Sequence, residues 1–417
     1  MKKVIKNFFI KHLGYYTVVA KQLQAVRRIR HKETINVVFY AVNVSTWNYQ
    51  HLYERMIQNP RFRIFIVIYP SKILPIELRL EEANGLRKFF DKKSVKYIDC
   101  NENGEISIDI NNDINPDILF FSQPYLNTMT PKEGNKDLDK KLCCYYPYAF
   151  WTAKGVWSYN LPLHNFAWKL FYSTKLHLED AKKYCDNKGR NVVVTGYPKT
   201  DDYLTGCFKD VWKIKDRKYK RLIWAPHFTI KPSMKGTVAR SNFLMMADLM
   251  VCIAKQYSDK LQIVFKPHPR LKSELYLLED WGKQRTNEYY ELWDSMPNTF
   301  VADGEYIDLF MTSDAMIHDS SSFSVEYHYS HNPVMYMAQD INAYKDMLND
   351  FGKKTIDMHY IGKNKEDILS FIEKQVISGI DPMKKQRDVF FKEYLVPSHR
   401  MTVADYTYQH LISSLGI

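Results

Sequence analysis

Several features that define other protein classes are missing from this sequence of 417 residues. No run of 18 or more apolar residues occurs, so we do not expect a membrane-spanning helix. The six cysteines form no CxxC pair and no metal-like spacing, and no signal-peptide pattern precedes them. We therefore expect reduced thiols in a cytosolic protein and exclude a secreted disulfide scaffold. The absence of a P-loop, a Gly-x-Ser-x-Gly elbow and a His-Glu-x-x-His helix argues against a P-loop ATPase, an α/β-hydrolase and a zinc protease.

The composition that remains is that of a globular protein. Hydrophobic residues make up 45% of the chain and charged residues 25%, which is too apolar for a disordered protein. At about 150 residues per domain, the length indicates two or three domains, each with its own core.

Positive charge is concentrated at the start of the chain. The formal net charge is +12, and in residues 1–33 the Lys and Arg residues face a single acid, Glu33. Apolar residues lie among them, a pattern that predicts a basic amphipathic segment on an anionic membrane surface. The alternative is a packed helix with a solvated basic face. No nucleic-acid-binding motif accompanies the charge, so we expect no nucleic-acid partner.

Beyond residue 33, short β-branched runs alternate with helical stretches, which predicts an α/β fold with parallel sheets. A polar stretch at 201–221 divides two such series. We therefore predict one Rossmann-like domain over 34–203 and a second over 204–385, facing each other across a cleft. The predicted strands are 35–42, 63–69, 95–98, 117–121, 221–225, 261–265, 299–302, 315–318 and 333–337.

Polar side chains follow three strands of the second series, at the point where each strand ends. They are, in chain order, His227; Lys266, His268 and Arg270; and Asp319, Ser320, Ser321 and Ser322. Ligands of open α/β sheets bind beyond the carboxyl ends of the strands, so we expect these residues to form a ligand site.

The serines directly precede a predicted helix at 322–330. Their hydroxyls can cap it, and its free N–H groups favour an anion, which predicts a phosphate site. The alternative is an ordinary N-cap. One turn further on, Glu326 is either a ribose ligand or a solvated helix residue.

His268 lies between two prolines, which hold the backbone extended and present the imidazole from a stiff loop. A neutral histidine can act as a general base, and a protonated one can stabilise developing phosphate charge. Lys266 and Arg270 would then counter a diphosphate. The alternative is a capped surface turn, and for His227 a structural histidine is the default.

Four segments occur in an order that resembles a known family. They are Val193–Asp201 (VVTGYPKTD), Trp224–Ile230 (WAPHFTI), Phe265–Pro269 (FKPHP) and Ile317–Ser322 (IHDSSS). Together they resemble the CDP-glycerol glycerophosphotransferase family of teichoic-acid primases and polymerases. The likeness is good over about 190–340 and loose over the first half.

The resemblance implies a GT-B fold, with the donor in the C-terminal domain, the acceptor in the N-terminal domain, and helices over 386–417 that pack across the domains. It implies that His268 takes part in catalysis and holds the donor diphosphate, and that Asp319–Ser322 bind the diphosphate. The implied reaction is attack by an acceptor hydroxyl on the β-phosphate of a CDP-polyol, with release of CMP. The donor is a substrate and no cofactor is expected. No metal-binding residues are predicted, and the metal requirement is left open.

The basic start of the chain fits a lipid-linked glycan acceptor on the cytoplasmic face of a bacterial inner membrane. The family's His-Gly-x-Pro stretch is absent, and the nearest element is Tyr145–Phe150. The acceptor-activating base is therefore left open, with His268 and His227 as candidates. A second hypothesis is a GT-B glycosyltransferase that uses a nucleotide sugar for capsule or lipopolysaccharide synthesis and releases a nucleoside diphosphate. A third is a non-catalytic scaffold that binds a glycan or a partner enzyme.

Overall fold

The computed structural model describes residues 2–69, 71–72, 74–99, 108–126, 138, 140–231 and 241–417, with residues 2–15 and 205 described for their backbone alone. Two compact units are present: Met1–Asp201 together with Leu395–Ile417, and Asp202–Tyr394. The first change of unit falls next to the boundary expected after residue 203. The second falls at Leu395, within the C-terminal segment 386–417.

Most of the strands are short and buried. In chain order they are β1 (Ile35–Ala41), β2 (Phe62–Ile68), β3 (Ile98–Asp99), β4 (Ile118–Phe121), β5 (Leu142–Tyr145), β6 (Lys169–Tyr172), β7 (Val192–Val194), β8 (Lys220–Ala225), β9 (Leu261–Phe265), β10 (Thr299–Val301), β11 (Ala315–His318), β12 (Val334–Met337) and β13 (Tyr360–Gly362).

Helices connect them. In chain order they are α1 (Lys2–Arg30), α2 (Gln50–Met56), α3 (Ile76–Lys92), α4 (Val156–Tyr159), α5 (Pro162–Phe166), α6 (Lys175–Tyr184), α7 (Thr200–Thr205), α8 (Phe243–Gln256), α9 (Leu271–Tyr276), α10 (Gly282–Ser295), α11 (Ile307–Met311), α12 (Phe323–Glu326), α13 (Ile341–Asp346), α14 (Asp350–Ile356), α15 (Lys365–Phe371), α16 (Lys384–Phe390) and α17 (Val403–Leu415). Tyr327–Ser330 is a 3-10 helix, as is Val44–Thr46, and Ile110–Ile114, Ile372–Ile377 and Phe391–Leu395 are π-helical.

Each unit contains a parallel sheet with the strand order of a Rossmann fold. The first sheet has the order β3-β2-β1-β4-β5-β6-β7 and the second β10-β9-β8-β11-β12-β13. The chain thus winds outward from β1 in one direction and then from β4 in the other, and it repeats this from β8 and β11. The predicted α/β class with two Rossmann-like domains is confirmed. The order reverses between β8 and β11, where open α/β sheets bind ligands.

The sequence prediction missed β5, β6, β7 and β13. Each has only three or four residues, too few for a hydrophobic period to distinguish a strand from a loop. The strand predicted at 95–98 was wrong in extent, because only Ile98 and Asp99 pair with the neighbouring strand.

The second half of α1 packs within the first unit, and a lysine just after the helix uses its charge inside the fold. Ala25, Val26 and Ile29 are buried, at the spacing of one helix face. Lys32 Nζ binds both carboxylate oxygens of the buried Asp117 at 2.7 and 2.8 Å. Exposed apolar and basic side chains remain on α1 nonetheless, and Leu23 is one of them. The predicted amphipathic face of residues 2–15 lies outside the described side chains. In the described part of the chain, no helix is long and apolar enough to cross a membrane.

The polar stretch after α7 is packed rather than loose. Trp212 is buried and donates from its indole nitrogen to Thr312 Oγ1 at 3.1 Å. Before it, the carboxylate of Asp201 accepts the N–H groups of Val403 and Ala404 at 2.7 and 2.9 Å. Asp201 therefore caps α17, a helix 202 residues away along the chain.

Aromatic stacking supports the ends of the central strands of the second unit. The Trp224 ring stacks on Phe265 at 4.9 Å and on Phe243 at 5.7 Å between ring centroids. These contacts join β8, β9 and the first turn of α8, so the residues that follow β8 and β9 emerge from a rigid base.

Candidate functional site

The loops after β9, β8 and β11 lie side by side at the reversal of strand order. The backbone N–H of His268 donates to the carbonyl of Pro226 at 3.0 Å, which joins the first two loops. The rings of His227 and His268 meet edge to face with centroids 5.0 Å apart. The structure thus brings together the two histidines that the sequence placed at the ends of separate strands.

A local hydrogen-bond pattern recurs at all three strand ends. Nδ1 of His268 accepts the backbone N–H of Arg270, and Nδ1 of His318 accepts that of Ser320, both at 3.2 Å. Nδ1 of His227 lies 2.9 Å from Thr229 Oγ1 and accepts the Thr229 N–H at 3.4 Å. In each case the backbone donor engages the Nδ1 lone pair. For His268 and His318, whose pKa values burial lowers, the proton of the neutral imidazole is therefore on Nε2.

His268 is held neutral by its surroundings. Burial, followed by the positive charges of Arg270 and Lys266, lowers its pKa to about 4. Its ring packs on Phe228 with centroids 4.5 Å apart. A neutral imidazole with Nδ1 engaged offers an N–H donor at Nε2 and no lone pair there. This geometry favours stabilisation of an anion over the base role that the sequence left open.

The two cations beside His268 differ in their partners. Arg270 is exposed, forms an ion pair with Glu274 at 2.7 Å and lies over the Phe228 ring at 4.2 Å. Its charge is already countered. Lys266 is only 4% exposed, and its ammonium group has no hydrogen-bond or ion-pair partner among the residues that the structure describes. Burial lowers the pKa of Lys266, and the charge of Asp303 opposes this. Lys266 is thus the cation available to an anionic ligand.

Asp319 is buried and its carboxylate is occupied. Oδ1 accepts the backbone N–H of His227 at 2.5 Å, and Oδ2 accepts that of Asn242 at 2.6 Å. Burial raises the pKa of Asp319 to about 6, while these hydrogen bonds oppose the shift. Asp319 is therefore turned toward protein donors.

The three serines follow Asp319, but the predicted helix at 322–330 was wrong in form. Only α12, four residues long, is α-helical, and a 3-10 turn continues it. Ser322 stands at the N-cap without a side-chain capping bond, and its Oγ lies 3.2 Å from Ser320 Oγ. The backbone N–H groups of Ser321 and Ser322 have no acceptor within the described ranges. They remain available as donors.

Glu326 lies apart from this group of donors. It is 2% exposed, and its Oε2 accepts the hydroxyls of Tyr203 at 2.9 Å and Tyr306 at 2.7 Å. Burial and the neighbouring Glu326 charge raise the pKa of Tyr306, which keeps it a donor. A solvated position for Glu326, one of the two alternatives from the sequence, was wrong.

Asn242 and Thr229 were not singled out from the sequence. Asn242 precedes α8, where Asn normally caps a helix, but it makes no side-chain cap and donates from Nδ2 to the Met337 carbonyl at 3.0 Å. A local pattern cannot reveal this use. Among the described residues, no group of three His, Cys, Asp or Glu side chains is arranged to hold a metal ion.

Comparison with known proteins gives a family and a fold. Residues 21–375 match the family described as CDP-Glycerol:Poly(glycerophosphate) glycerophosphotransferase. The wall teichoic acid polymerase TagF is 13% identical, with 98% of each chain covered and a TM-score of 0.55. A TagF variant has been solved after a soak with CDPG. An S. aureus MnaA–UDP co-structure is 10% identical, with 92% of this chain and 97% of that chain covered and a TM-score of 0.59. No curated protein sequence matches the chain significantly.

Proposed function

This chain belongs to the CDP-glycerol:poly(glycerophosphate) glycerophosphotransferase family, and we propose that it transfers glycerol phosphate, or a similar polyol phosphate, from a CDP-activated donor. The proposed acceptor is a hydroxyl of a membrane-linked bacterial surface glycan. It is a glycerophosphotransferase-like enzyme that uses a nucleotide-activated donor. The acceptor and the release of CMP are the proposed parts.

The observation that carries the proposal is the concentration of anion donors at the reversal of strand order in the second unit. Within the described residues, Lys266 supplies a buried charge without a hydrogen-bond or ion-pair partner, and Ser321 and Ser322 supply backbone N–H groups without an acceptor. His268 supplies a neutral Nε2–H. A diphosphate spreads its charge over several oxygens and matches such a set of donors. Arg270 contributes less, because Glu274 already pairs with it.

In the proposed reaction, the acceptor hydroxyl attacks the β-phosphorus of the CDP-polyol. A new P–O bond forms, the acceptor hydroxyl releases its proton to solvent, the bond from the β-phosphorus to the bridging oxygen breaks, and CMP leaves with that oxygen and its electron pair. Negative charge grows on the leaving phosphate, where Lys266, the Nε2–H group of His268 and the adjacent His227 imidazole stabilise it. We therefore assign both histidines to charge stabilisation, which contributes most to phosphoryl transfer.

The proposed acceptor is lipid-linked and the proposed location is the cytoplasmic face of the inner membrane. Support comes from α1, whose described part exposes Arg27 beside the apolar Leu23 and Tyr16. Exposed basic and apolar side chains on one helix bind anionic lipid headgroups.

The test is a product assay with defined donors. The purified protein is incubated with membranes as the acceptor source and with CDP-glycerol, CDP-ribitol, UDP-glucose or UDP-N-acetylglucosamine, and the released nucleotide is separated by chromatography. CMP release from a CDP-polyol that depends on added membranes would support the proposal. UDP release alone would contradict it and favour the glycosyltransferase alternative. A thermal-shift series with CMP, CDP and UDP adds a readout of binding, since a ligand at 100 times its Kd stabilises by about 2.7 kcal/mol.

A further inference from the structure

Asp319 holds both ends of one chain segment. The backbone N–H of His227 binds one carboxylate oxygen, and that of Asn242 binds the other. His227 follows β8 and Asn242 directly precedes α8, so residues 228–241 lie between the two along the chain. Inside the two bonds, the Ser241 N–H donates to the Thr229 carbonyl at 3.2 Å, so the segment's ends are also joined to each other.

The same bonds leave the carboxylate unsuited to a direct contact with phosphate. Both oxygens accept short hydrogen bonds, and the Asn242 side chain adds a longer one at 3.4 Å. Asp319 is 2% exposed. An ionised carboxylate against a diphosphate would repel it, whereas one that binds two backbone N–H groups organises the chain around it.

We propose that Asp319 is a positioning residue, which clamps His227 and Asn242 so that the His227 imidazole stays against His268 in the donor site. The clamp acts on the backbone at His227, and Thr229 then orients the ring through Nδ1. The edge-to-face contact of the two imidazoles is the result. Asp319 therefore does not bind the diphosphate itself. The kinetic test of this role rests on the proposed function.

A double-mutant cycle separates positioning from contact with the donor. Asp319→Asn keeps the size of the side chain but places an amide NH₂ where one backbone N–H needs an acceptor. We expect it to lower kcat at least tenfold with a donor KM within threefold of wild type. In the His227→Ala background, the same change should lower kcat less than threefold, because the residue being positioned is gone.

The matched control is Asp340→Asn. Asp340 is exposed, and one of its oxygens accepts the backbone N–H groups of Asn342 and Ala343 at 3.0 Å each, at the start of α13. The Asp340→Asn variant therefore loses comparable hydrogen bonds outside the site, and the kcat of this variant should stay within twofold of wild type. A raised donor KM for Asp319→Asn, or an effect of equal size in the His227→Ala background, would overturn the inference.

Hydrogen exchange on the wild-type protein tests the clamp without a variant. The amides of His227 and Asn242 should exchange at least tenfold more slowly than those of Ser321 and Ser322, which lack acceptors in the described chain. Fast exchange at His227 and Asn242 would overturn the clamp even if Asp319→Asn fails to fold. A wild-type protein that is inactive with every CDP-polyol would contradict the proposed function, while slow exchange would still support the clamp.

Discussion

The backbone N–H of Arg270 donates to Nδ1 of His268 at 3.2 Å. This bond places the proton of the neutral imidazole on Nε2 and makes His268 a hydrogen-bond donor. Arg270 thus acts on the site through its backbone as well as its charge, which Glu274 pairs.

Substitution of His268 separates donation from base catalysis. His268→Ala should lower kcat by about 10² to 10³, the usual cost of a donor to developing charge. His268→Gln keeps an N–H near the Nε2 position and should retain at least ten times the activity of the alanine variant. Steady-state assays with CDP-glycerol would measure both, and His331→Ala, at a partly exposed histidine of the same unit, is the control. A glutamine variant as inactive as the alanine variant would argue for a base.

Substitution of Lys266 should weaken the binding of CDP and raise the stability of the fold. The buried ammonium of Lys266 has no hydrogen-bond or ion-pair partner among the described residues, which costs folding free energy, so Lys266→Met should raise the Tm, consistent with a gain of about 1 kcal/mol or more. The same change should weaken CDP binding at least tenfold, because the diphosphate loses its unpaired cation. Thermal shift with and without CDP measures both effects. Lys283→Met, at an exposed lysine, should change neither. Unaltered CDP affinity in Lys266→Met would remove Lys266 from the site.

Removal of the Glu326 carboxylate should affect folding more than donor binding. Glu326→Gln and Tyr306→Phe each break a buried hydrogen bond and should lower the free energy of unfolding by about 1–3 kcal/mol. The donor KM should stay within threefold of wild type in both. Urea unfolding and donor kinetics check this pair of expectations. A KM that rises in Glu326→Gln but not in Tyr306→Phe would instead support a ribose contact.

Acidification should destabilise the second unit through a buried histidine cluster. The rings of His318 and His328 each contact that of His359, and burial lowers all three pKa values, that of His359 to about 3. These side chains stay neutral in the fold and gain protons when it unfolds. Their contribution to the free energy of unfolding is therefore complete above about pH 6.5. It is lost as the pH falls toward the folded-state pKa values, by up to about 1.4 kcal/mol per pH unit for each histidine.

Two carboxyls act in the opposite direction. Burial raises the pKa of Asp319 in the second unit to about 6, so its protonation offsets part of the loss there, and burial raises the pKa of Glu82 in the first unit to about 7. Thermal unfolding between pH 8 and pH 4.5 should still show a net fall in Tm. His328→Leu should make that fall shallower, since both nitrogens of His328 lack partners in the described structure. An equal slope in this variant would exclude the cluster as the cause.

Charge reversal on α1 tests the membrane proposal without disturbing the buried face. Leu23 and Arg27 are exposed, so Leu23→Glu with Arg27→Glu should leave folding intact and weaken binding to phosphatidylglycerol vesicles at least fivefold, more at low salt. Vesicle co-sedimentation measures the change, and Lys283→Glu on α10 is the control. Equal binding by both variants would contradict a role for α1. Deletion of residues 1–30 is a poorer test, because Ile29 lies in the core.

The sequence predicted the α/β class and the three strand ends because both depend on local patterns. Continuous apolar runs mark strands that are buried on both faces, as in β4, and polar residues directly after such runs must lie at the sheet edge. Strands in the first half of the chain were harder to predict, since β5, β6 and β7 are too short to show a periodic pattern of apolar residues.

The sequence by itself therefore determined the two-domain α/β architecture and the residues that gather beside the reversal of strand order. Tertiary structure alone decided what each of them contacts. The partners of Asp319 are 92 and 77 residues away, and Tyr203 is 123 residues from Glu326. Whether a carboxylate meets a ligand or a backbone amide depends on which distant segments the fold brings beside it. Spacing along the chain carries no such information, because hydrogen bonds and burial depend on distances in space.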